Sequence, residues 1–200
     1  MKAKTKATRG RPSRKPEIIA ATEELIRTRG LAGVTTRAIA ERVGCSEAAI
    51  YVHFDSRSEL LLAVLEGSLP AMLAPLDTLG QAVGKATPQR NLLKAVQAIY
   101  AFQERMVPMH GSLFGEPDLL AAYRQTFVGR RKGPHGGIGR LQRYIAAEQA
   151  IKRIPPEIDA EAAATALISG LFFKAFMTLF FADPKPTDDS FKKLIAFTLR

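Results

Sequence analysis

Apolar residues in the first third of the chain recur every three or four positions, which is the spacing of an amphipathic α-helix. The first predicted helix begins near Pro16 and ends before Gly30, and the second begins at the Thr35–Thr36 pair. The third runs from Ser46 to about Phe54, and the fourth begins at Ser56 and ends or kinks at Gly67 or Pro70. The predicted buried positions are Ile18, Ala21, Leu25, Ile26, Ile39, Val43, Ile50, Phe54, Leu60, Leu61, Val64 and Leu65.

Gly44 and Ser46 leave almost no loop between the second and third helices. Two short helices joined in this way are typical of a helix-turn-helix, which places its second helix in the DNA major groove. If Ile50 and Phe54 point into the core, the opposite face of the third helix carries Glu47, Ala48, Tyr51 and Val52. The segment therefore predicts sequence-specific DNA binding.

The remainder of the chain shows no strand-type alternation. Breaks at Pro108–Gly111, Gly133–Gly137, Pro155–Pro156 and Pro184–Pro186 separate five further candidate helices, 88–107, 117–128, 137–150, 157–182 and 188–200. The predicted fold is all-α, with about nine helices.

The chain has a formal net charge of +10, which favours binding to an anionic partner. Residues 1–15 are basic, lack acidic side chains and have no periodicity, so we expect a flexible arm there. The single cysteine, Cys45, fits a reducing compartment, and no secretory signal is recognisable at the start of the chain. We expect a cytoplasmic protein.

The apolar segment Ala162–Ala182 has the length of a membrane span, about 20 residues. Lys174 lies near its middle, where an unpaired charge is costly in a bilayer. We therefore predict a buried or interface helix and no membrane partner.

The helix-turn-helix strongly resembles that of the TetR family of bacterial transcriptional repressors. The residues that carry the resemblance lie within 16–62, without a gap, and are Gly30, Thr35-Thr36, Ile39-Ala40, Gly44-Cys45-Ser46, Tyr51-Val52-His53-Phe54, Arg57 and Leu60. The resemblance implies a DNA-binding domain over residues 16–62, after the basic arm of 1–15, and a ligand-binding and dimerisation domain over 63–200.

Carried over by position, the resemblance implies base contacts by Arg37, Glu47, Ala48 and Ala49, and phosphate contacts by Thr36, Tyr51, His53 and Arg57. Val52 and Arg57 depart from the family pattern, which often has a larger or polar residue and a lysine there. Plainer interpretations stay open: Tyr51 and His53 as packing residues, Glu47 as a partner of the helix dipole, and Arg37 as a solvated charge.

The arm resembles segments that track the DNA minor groove with arginines, here Arg9, Arg11 and Arg14. A generic solvated basic tail is the alternative, and it too would raise DNA affinity by releasing counterions.

A single module reads little DNA, so such proteins generally dimerise on a palindrome. The last two helices are the natural dimer helices, with an interface from Leu167, Leu171, Phe176, Leu179, Leu194 and Ile195, and with Phe197 in the same apolar set. An effector pocket would be lined by Phe102, Met106, Phe114, Tyr123, Phe127, Tyr144, Phe172 and Phe173. Nearby arginines, Arg105, Arg124 and Arg140, would orient an anionic group, and ordinary core packing is the alternative.

The predicted function is a repressor that binds a palindromic operator as a homodimer and is released by a small, largely hydrophobic effector. An activator of the same fold and a non-specific nucleoid-type DNA-binding protein are the alternatives. We predict no enzyme, since the three histidines, His53, His110 and His135, are scattered and no nucleophile or nucleotide motif is present. We expect neither a cofactor nor a metal.

Overall fold

The computed structural model describes residues 13–128 and 134–200, and in these ranges the chain is helical without a strand. This confirms the predicted all-α fold. The described residues form nine α-helices, and a 3₁₀ turn at Leu31–Gly33 separates the first two of them. The nine are α1 Lys15–Arg29, α2 Thr36–Val43, α3 Glu47–Tyr51, α4 Arg57–Gly80, α5 Pro88–Leu113, α6 Pro117–Val128, α7 Pro134–Ala150, α8 Ala160–Phe180 and α9 Asp188–Thr198.

The helix starts near the N-terminus are set by capping side chains. Thr35, Ser46 and Ser56 accept hydrogen bonds from the backbone N–H three residues on, which satisfies a donor that the helix leaves free. The third helix is shorter than predicted, because the chain turns at residues 52–53 and Ser56 is extended to cap α4. Phe54 is still buried, as predicted.

The predicted break at Pro108–Gly111 is wrong, and α4 does not end at Gly67 or Pro70, where we predicted an end or a kink. Helix α4 continues through Pro70 and Pro75, and α5 continues through Pro108. A proline inside a helix removes one backbone hydrogen bond and favours a kink. Both helices bury apolar side chains on either side of the proline, Leu65 and Leu76 in α4 and Met106 and Leu113 in α5, and this packing outweighs the lost bond.

The core consists of two clusters of buried side chains. One cluster holds the helix-turn-helix side chains together with Phe102, Met106 and Leu119 of α5 and α6. The other cluster contains buried side chains from the C-terminal part of α4 and from α5, α7, α8 and α9. The predicted boundary after residue 62 falls inside α4, so the chain has no linker there.

Two helices, Arg57–Gly80 and Ala160–Phe180, are long and apolar enough to cross a membrane by length and composition. In this fold both contribute to the core. Helix α8 packs against α5 and α7, and its Ala164, Leu167 and Leu171 are fully buried.

Candidate DNA-binding surface and effector cavity

The turn of the helix-turn-helix is built on Gly44. This glycine ends α2 in the left-handed conformation, with φ 69° and ψ 46°, which a side chain would disfavour. The Cys45 N–H then donates to the Ala40 carbonyl at 3.0 Å, and Ser46 caps α3 two residues after α2 has ended. Ile50 packs one face of helix α3 against the core, and the opposite face of the helix is exposed.

The structure places most predicted DNA contacts on this exposed surface. Arg37, Glu47, Ala48 and Tyr51 are exposed, and Tyr51 shows 49% of its surface to solvent. Thr36, Ala49 and His53 are half-buried. Sequence reasoning placed Val52 on the same face but did not assign it a contact; its side chain is 79% exposed beside Tyr51.

Two polar contacts hold the candidate base-reading side chains. The Thr36 hydroxyl donates to the Glu47 carboxylate at 2.6 Å and so joins the first residue of α2 to the first residue of α3. The Arg37 Nε donates to Glu41 at 3.0 Å, in a pair with both side chains more than half exposed. Such exposed pairs contribute little free energy, so Arg37 can leave Glu41 for a base or a phosphate at small cost.

Arg57 turns into the protein, contrary to its predicted role as a phosphate contact. Its Nε donates to the Val34 carbonyl and its Nη2 to the Leu31 carbonyl, each at 2.9 Å. The guanidinium also binds both oxygens of Glu116, at 2.8 and 3.1 Å. Four of its five N–H groups are thus accounted for within the chain. Arg57 therefore connects the helix-turn-helix to the start of α6.

The predicted minor-groove arm falls mainly outside the described residues, and Arg9 and Arg11 lie there. Arg14 is described, and its Nη1 donates to the Gly44 carbonyl of the helix-turn-helix turn at 3.3 Å. Residues 13–62 hold seven basic and seven acidic side chains, whereas residues 1–12 hold five basic and no acidic ones. Any long-range attraction of the N-terminal part to DNA therefore comes from the arm.

A cavity of about 260 Å³ lies between α4, α5, α6, α7 and α8. Of the eight predicted pocket residues, Phe102, Met106, Tyr123 and Phe172 line it. Phe114 and Phe173 are exposed elsewhere, Tyr144 lines a second cleft between α4 and α7, and the Phe127 side chain lies outside the described residues. The lining residues not predicted are Leu65, Ser68, Leu69, Gln103, His110, Ile138, Ile168 and Ser169.

The cavity lining contains no Lys, Arg, Asp or Glu among the described residues. The arginines predicted to orient an anion do not reach it, since Arg105 pairs with Glu23 at 3.1 Å and Arg140 with Asp77 at 2.6 Å, while Arg124 is exposed. Burial lowers the pKa of His110, whose ring makes an edge contact with Tyr123. The histidine is therefore neutral at pH 7, and the described part of the cavity lining carries no formal charge.

The surface of α8 and α9 differs from the predicted interface. Leu167, Leu171 and Ile195 are buried in the chain's own core, so their assignment to a dimer interface is revised. Leu194 is half-buried and lies against Gly170, where an added Cβ would stand 3.1 Å from it. Phe176 is half-buried, and Leu179 is exposed. The exposed aromatic side chains of this surface, among the described residues, are Phe172, Phe173, Phe180, Phe181 and Phe197.

The aromatic residues at the end of α8 form a cluster on this surface. Phe176 stacks on Phe180 with ring centroids 5.1 Å apart, and Phe181 contacts both rings edge-on.

In the part of the chain that the structure describes, no group of three His, Cys, Asp or Glu side chains lies close enough together to hold a metal ion.

Residues 18–64 match the family model described as bacterial regulatory proteins, tetR family. The nucleoid occlusion factor SlmA of Aliivibrio fischeri (strain MJ11) is 39% identical over 61 residues, which span 30% of this chain and 31% of that protein. The chain thus matches about a third of the length of this curated relative. The similarity to solved structures extends over nearly the whole chain.

The fatty acid degradation regulator FadR from Bacillus halodurans superposes with a TM-score of 0.68 at 15% identity, covering 99% of this chain and 97% of that one. A TetR transcription regulator from Haloarcula marismortui gives 0.67 at 16% identity, covering 92% and 94%. At these identities the likeness concerns the fold. Taken with the match of the helix-turn-helix, it shows that this chain has the TetR family's DNA-binding domain on the fold of TetR-family transcriptional regulators.

Proposed function

We propose that this protein is a transcriptional regulator that binds a palindromic operator as a homodimer, represses from it, and is released by a small, largely hydrophobic effector. The observation that carries the proposal is the course of α4. Its first turns bury Leu60 and Leu61 in the helix-turn-helix core, and its next turns place Leu65, Ser68 and Leu69 in the cavity wall. A change in the cavity therefore acts on the same helix that supports the DNA-binding surface.

Operator recognition would use the exposed side chains of α2 and α3. Arg37 can donate to guanine O6 and N7, Glu47 can accept from cytosine N4, and Ala48 and Val52 can contact thymine methyl groups. The Tyr51 hydroxyl and the Thr36 and His53 side chains would contact phosphates. Glu47 must give up its bond to Thr36 to reach a base, which makes it the weaker candidate of the two charged readers.

A second copy of the chain is the natural partner for the aromatic surface of α8 and α9. Contiguous exposed apolar patches of this kind are uncommon on monomers and mark interaction sites. A two-fold arrangement of two copies would also match the symmetry of a palindrome. The proposed interface is therefore Phe173, Phe176, Leu179, Phe180 and Phe197. It omits the buried Leu167, Leu171 and Ile195, and also Leu194, which packs against Gly170 of its own chain.

Release of DNA would proceed through α4 and through the contact of Arg57 with Glu116. Both side chains of this ion pair are about one-third exposed, and Glu116 lies directly before α6, which carries the cavity residue Tyr123. An effector that shifts α4 or α6 would change the position of the helix-turn-helix. A coupling free energy of about 1–3 kcal/mol is typical of such an effect.

The role of Arg57 is tested by Arg57→Met. Because its guanidinium is held by Leu31, Val34 and Glu116, we expect the variant to lose about 1–3 kcal/mol of stability and to keep the salt dependence of DNA binding. Thermal unfolding and binding to a random duplex over a range of salt concentrations measure both quantities. Arg27→Met, at an exposed position of α1, is the matched control. If the slope of the logarithm of DNA affinity against the logarithm of salt concentration falls by about one per bound copy of the protein, Arg57 contacts a phosphate instead.

The proposed function is tested by mapping bound sites across the genome of the source organism, followed by competition between a recovered site and bulk DNA at physiological salt. A specific regulator should prefer its palindromic site by about a thousandfold or more. Equal binding to both would favour the non-specific nucleoid-type alternative, with which the SlmA likeness of the N-terminal segment is compatible. Deleting the gene distinguishes a repressor from an activator. Transcription of the gene beside the bound site should rise if the protein represses it and fall if the protein activates it.

A further inference from the structure

Gln103 is a buried polar side chain that pairs with none of the residues that the structure describes. Only 5% of its surface is exposed, it lines the cavity, and within the described residues its amide makes no hydrogen bond. A primary amide carries two donor hydrogens and an acceptor oxygen, and leaving these unpaired in an apolar surrounding costs free energy. The neighbouring cavity residue Ser68 is satisfied differently, because its hydroxyl donates to the Leu65 carbonyl at 2.7 Å. The Gln103 amide is therefore available to a ligand.

From this we infer the chemical class of the effector: an uncharged, lipophilic molecule with a carbonyl, amide or hydroxyl group that pairs with Gln103. The inference rests on the proposed function, since it concerns the same cavity. The lipophilic part would contact the rings of Phe102, Tyr123 and Phe172 and the Met106 side chain. The polar end would lie at Gln103, with the neutral His110 about two turns further along α5 as a second hydrogen-bonding group.

A charged ligand does not fit this lining. A buried carboxylate needs a cation or several hydrogen-bond donors, and a buried ammonium needs an acidic partner. Among the described residues, the lining provides neither an acidic nor a basic side chain. The guanidinium carbon of Arg105 lies 5.9 Å from the Phe102 ring centroid, and this arginine is paired with Glu23. Electrostatics thus select a neutral molecule.

The size of the cavity limits the part of the ligand that it encloses. A cavity of about 150 Å³ accommodates benzene, so about 260 Å³ accommodates a molecule of roughly ten heavy atoms, such as one ring with a short polar chain. Ser169 and Phe172 line the cavity and are also exposed on α8. A longer molecule would leave the cavity past these two residues.

Three probes of similar shape test the inference by calorimetry: phenylbutanamide, phenylbutanoate and butylbenzene. At pH 7 we expect the amide to bind roughly tenfold tighter than the carboxylate, and Gln103→Met to weaken the amide by about tenfold while leaving butylbenzene within about twofold. Gln89→Met, at an exposed position in the first turn of α5, should change no affinity. Thermal unfolding checks that each variant folds.

The inference is overturned if the carboxylate binds as tightly as the amide, if Gln103→Met leaves the preference for the amide intact, or if none of the probes binds. The probes report on the cavity without DNA, so failure of the proposed function has a different signature. In that case the amide binds through Gln103 and the operator affinity of the saturated protein stays unchanged.

Discussion

Phe180→Glu should convert the protein to a monomer and lower its operator affinity by about a hundredfold or more. Phe180 is 71% exposed, stacks on Phe176 and lies at the centre of the aromatic cluster that we propose as the dimer interface. A carboxylate there would be buried without a partner on dimerisation, and the two-fold arrangement would introduce it twice. A single helix-turn-helix makes too few base contacts to hold its half-site tightly.

Light scattering measures the mass of the variant, and a filter-binding or fluorescence titration measures its operator affinity. Since Phe180 is largely exposed within one chain, the fold should survive, and circular dichroism checks this. Ile151→Glu is the matched control, because Ile151 is an exposed apolar residue at the end of α7, outside the proposed interface. A Phe180→Glu variant that remains dimeric and binds the operator normally would refute the α8–α9 interface.

The helix-turn-helix was readable from the sequence because its determinants are local. Thr35, Ser46 and Ser56 each cap the helix that follows, and Gly44 allows a left-handed residue that ends α2. These signals lie within a few residues of the structure they specify. The exposed face of α3 followed from the burial of Ile50 and Phe54, which the periodicity predicted correctly.

The lengths of α4 and α5 were not readable in the same way. The prolines at positions 70, 75 and 108 are local signals for a break, but the helices continue because distant helices cover their apolar faces. The position of Arg57 shows the same limit. Its carboxylate partner, Glu116, is 59 residues away along the chain, and no local pattern connects the two.

The cavity could be predicted in part. Phe102 and Met106 were found as members of an apolar stripe, whereas Gln103 and His110 were passed over because they are polar. Their position beside buried apolar residues of α5 was the available signal. On α8 both faces are apolar, so periodicity could not separate the core residues Leu167 and Leu171 from the exposed Phe173 and Phe180.

Arg153→Met should destabilise the protein by about 3–5 kcal/mol, which corresponds to a decrease in Tm of about 6–20 °C. The reason is the Glu148 side chain, which is 0% exposed. One of its oxygens accepts from the Gly84 N–H at 3.2 Å, and the other lies 3.2 Å from the Arg153 Nε without the alignment of a hydrogen bond. Arg153 is thus the main counter-charge of this carboxylate, and it also donates to the Lys85 and Ala86 carbonyls of the turn between α4 and α5.

The cost comes from leaving a carboxylate in the core without its cation, and not from the intrinsic strength of the ion pair. The double variant Glu148→Met with Arg153→Met removes both charges and should therefore be more stable than Arg153→Met alone. Arg143→Met is the matched control on α7, where the arginine is exposed, and should change the stability by less than about 0.5 kcal/mol. Chemical unfolding of the four proteins measures these differences. If Arg153→Met is no less stable than Arg143→Met, or the second substitution makes it worse, then Glu148 does not depend on Arg153 for its burial.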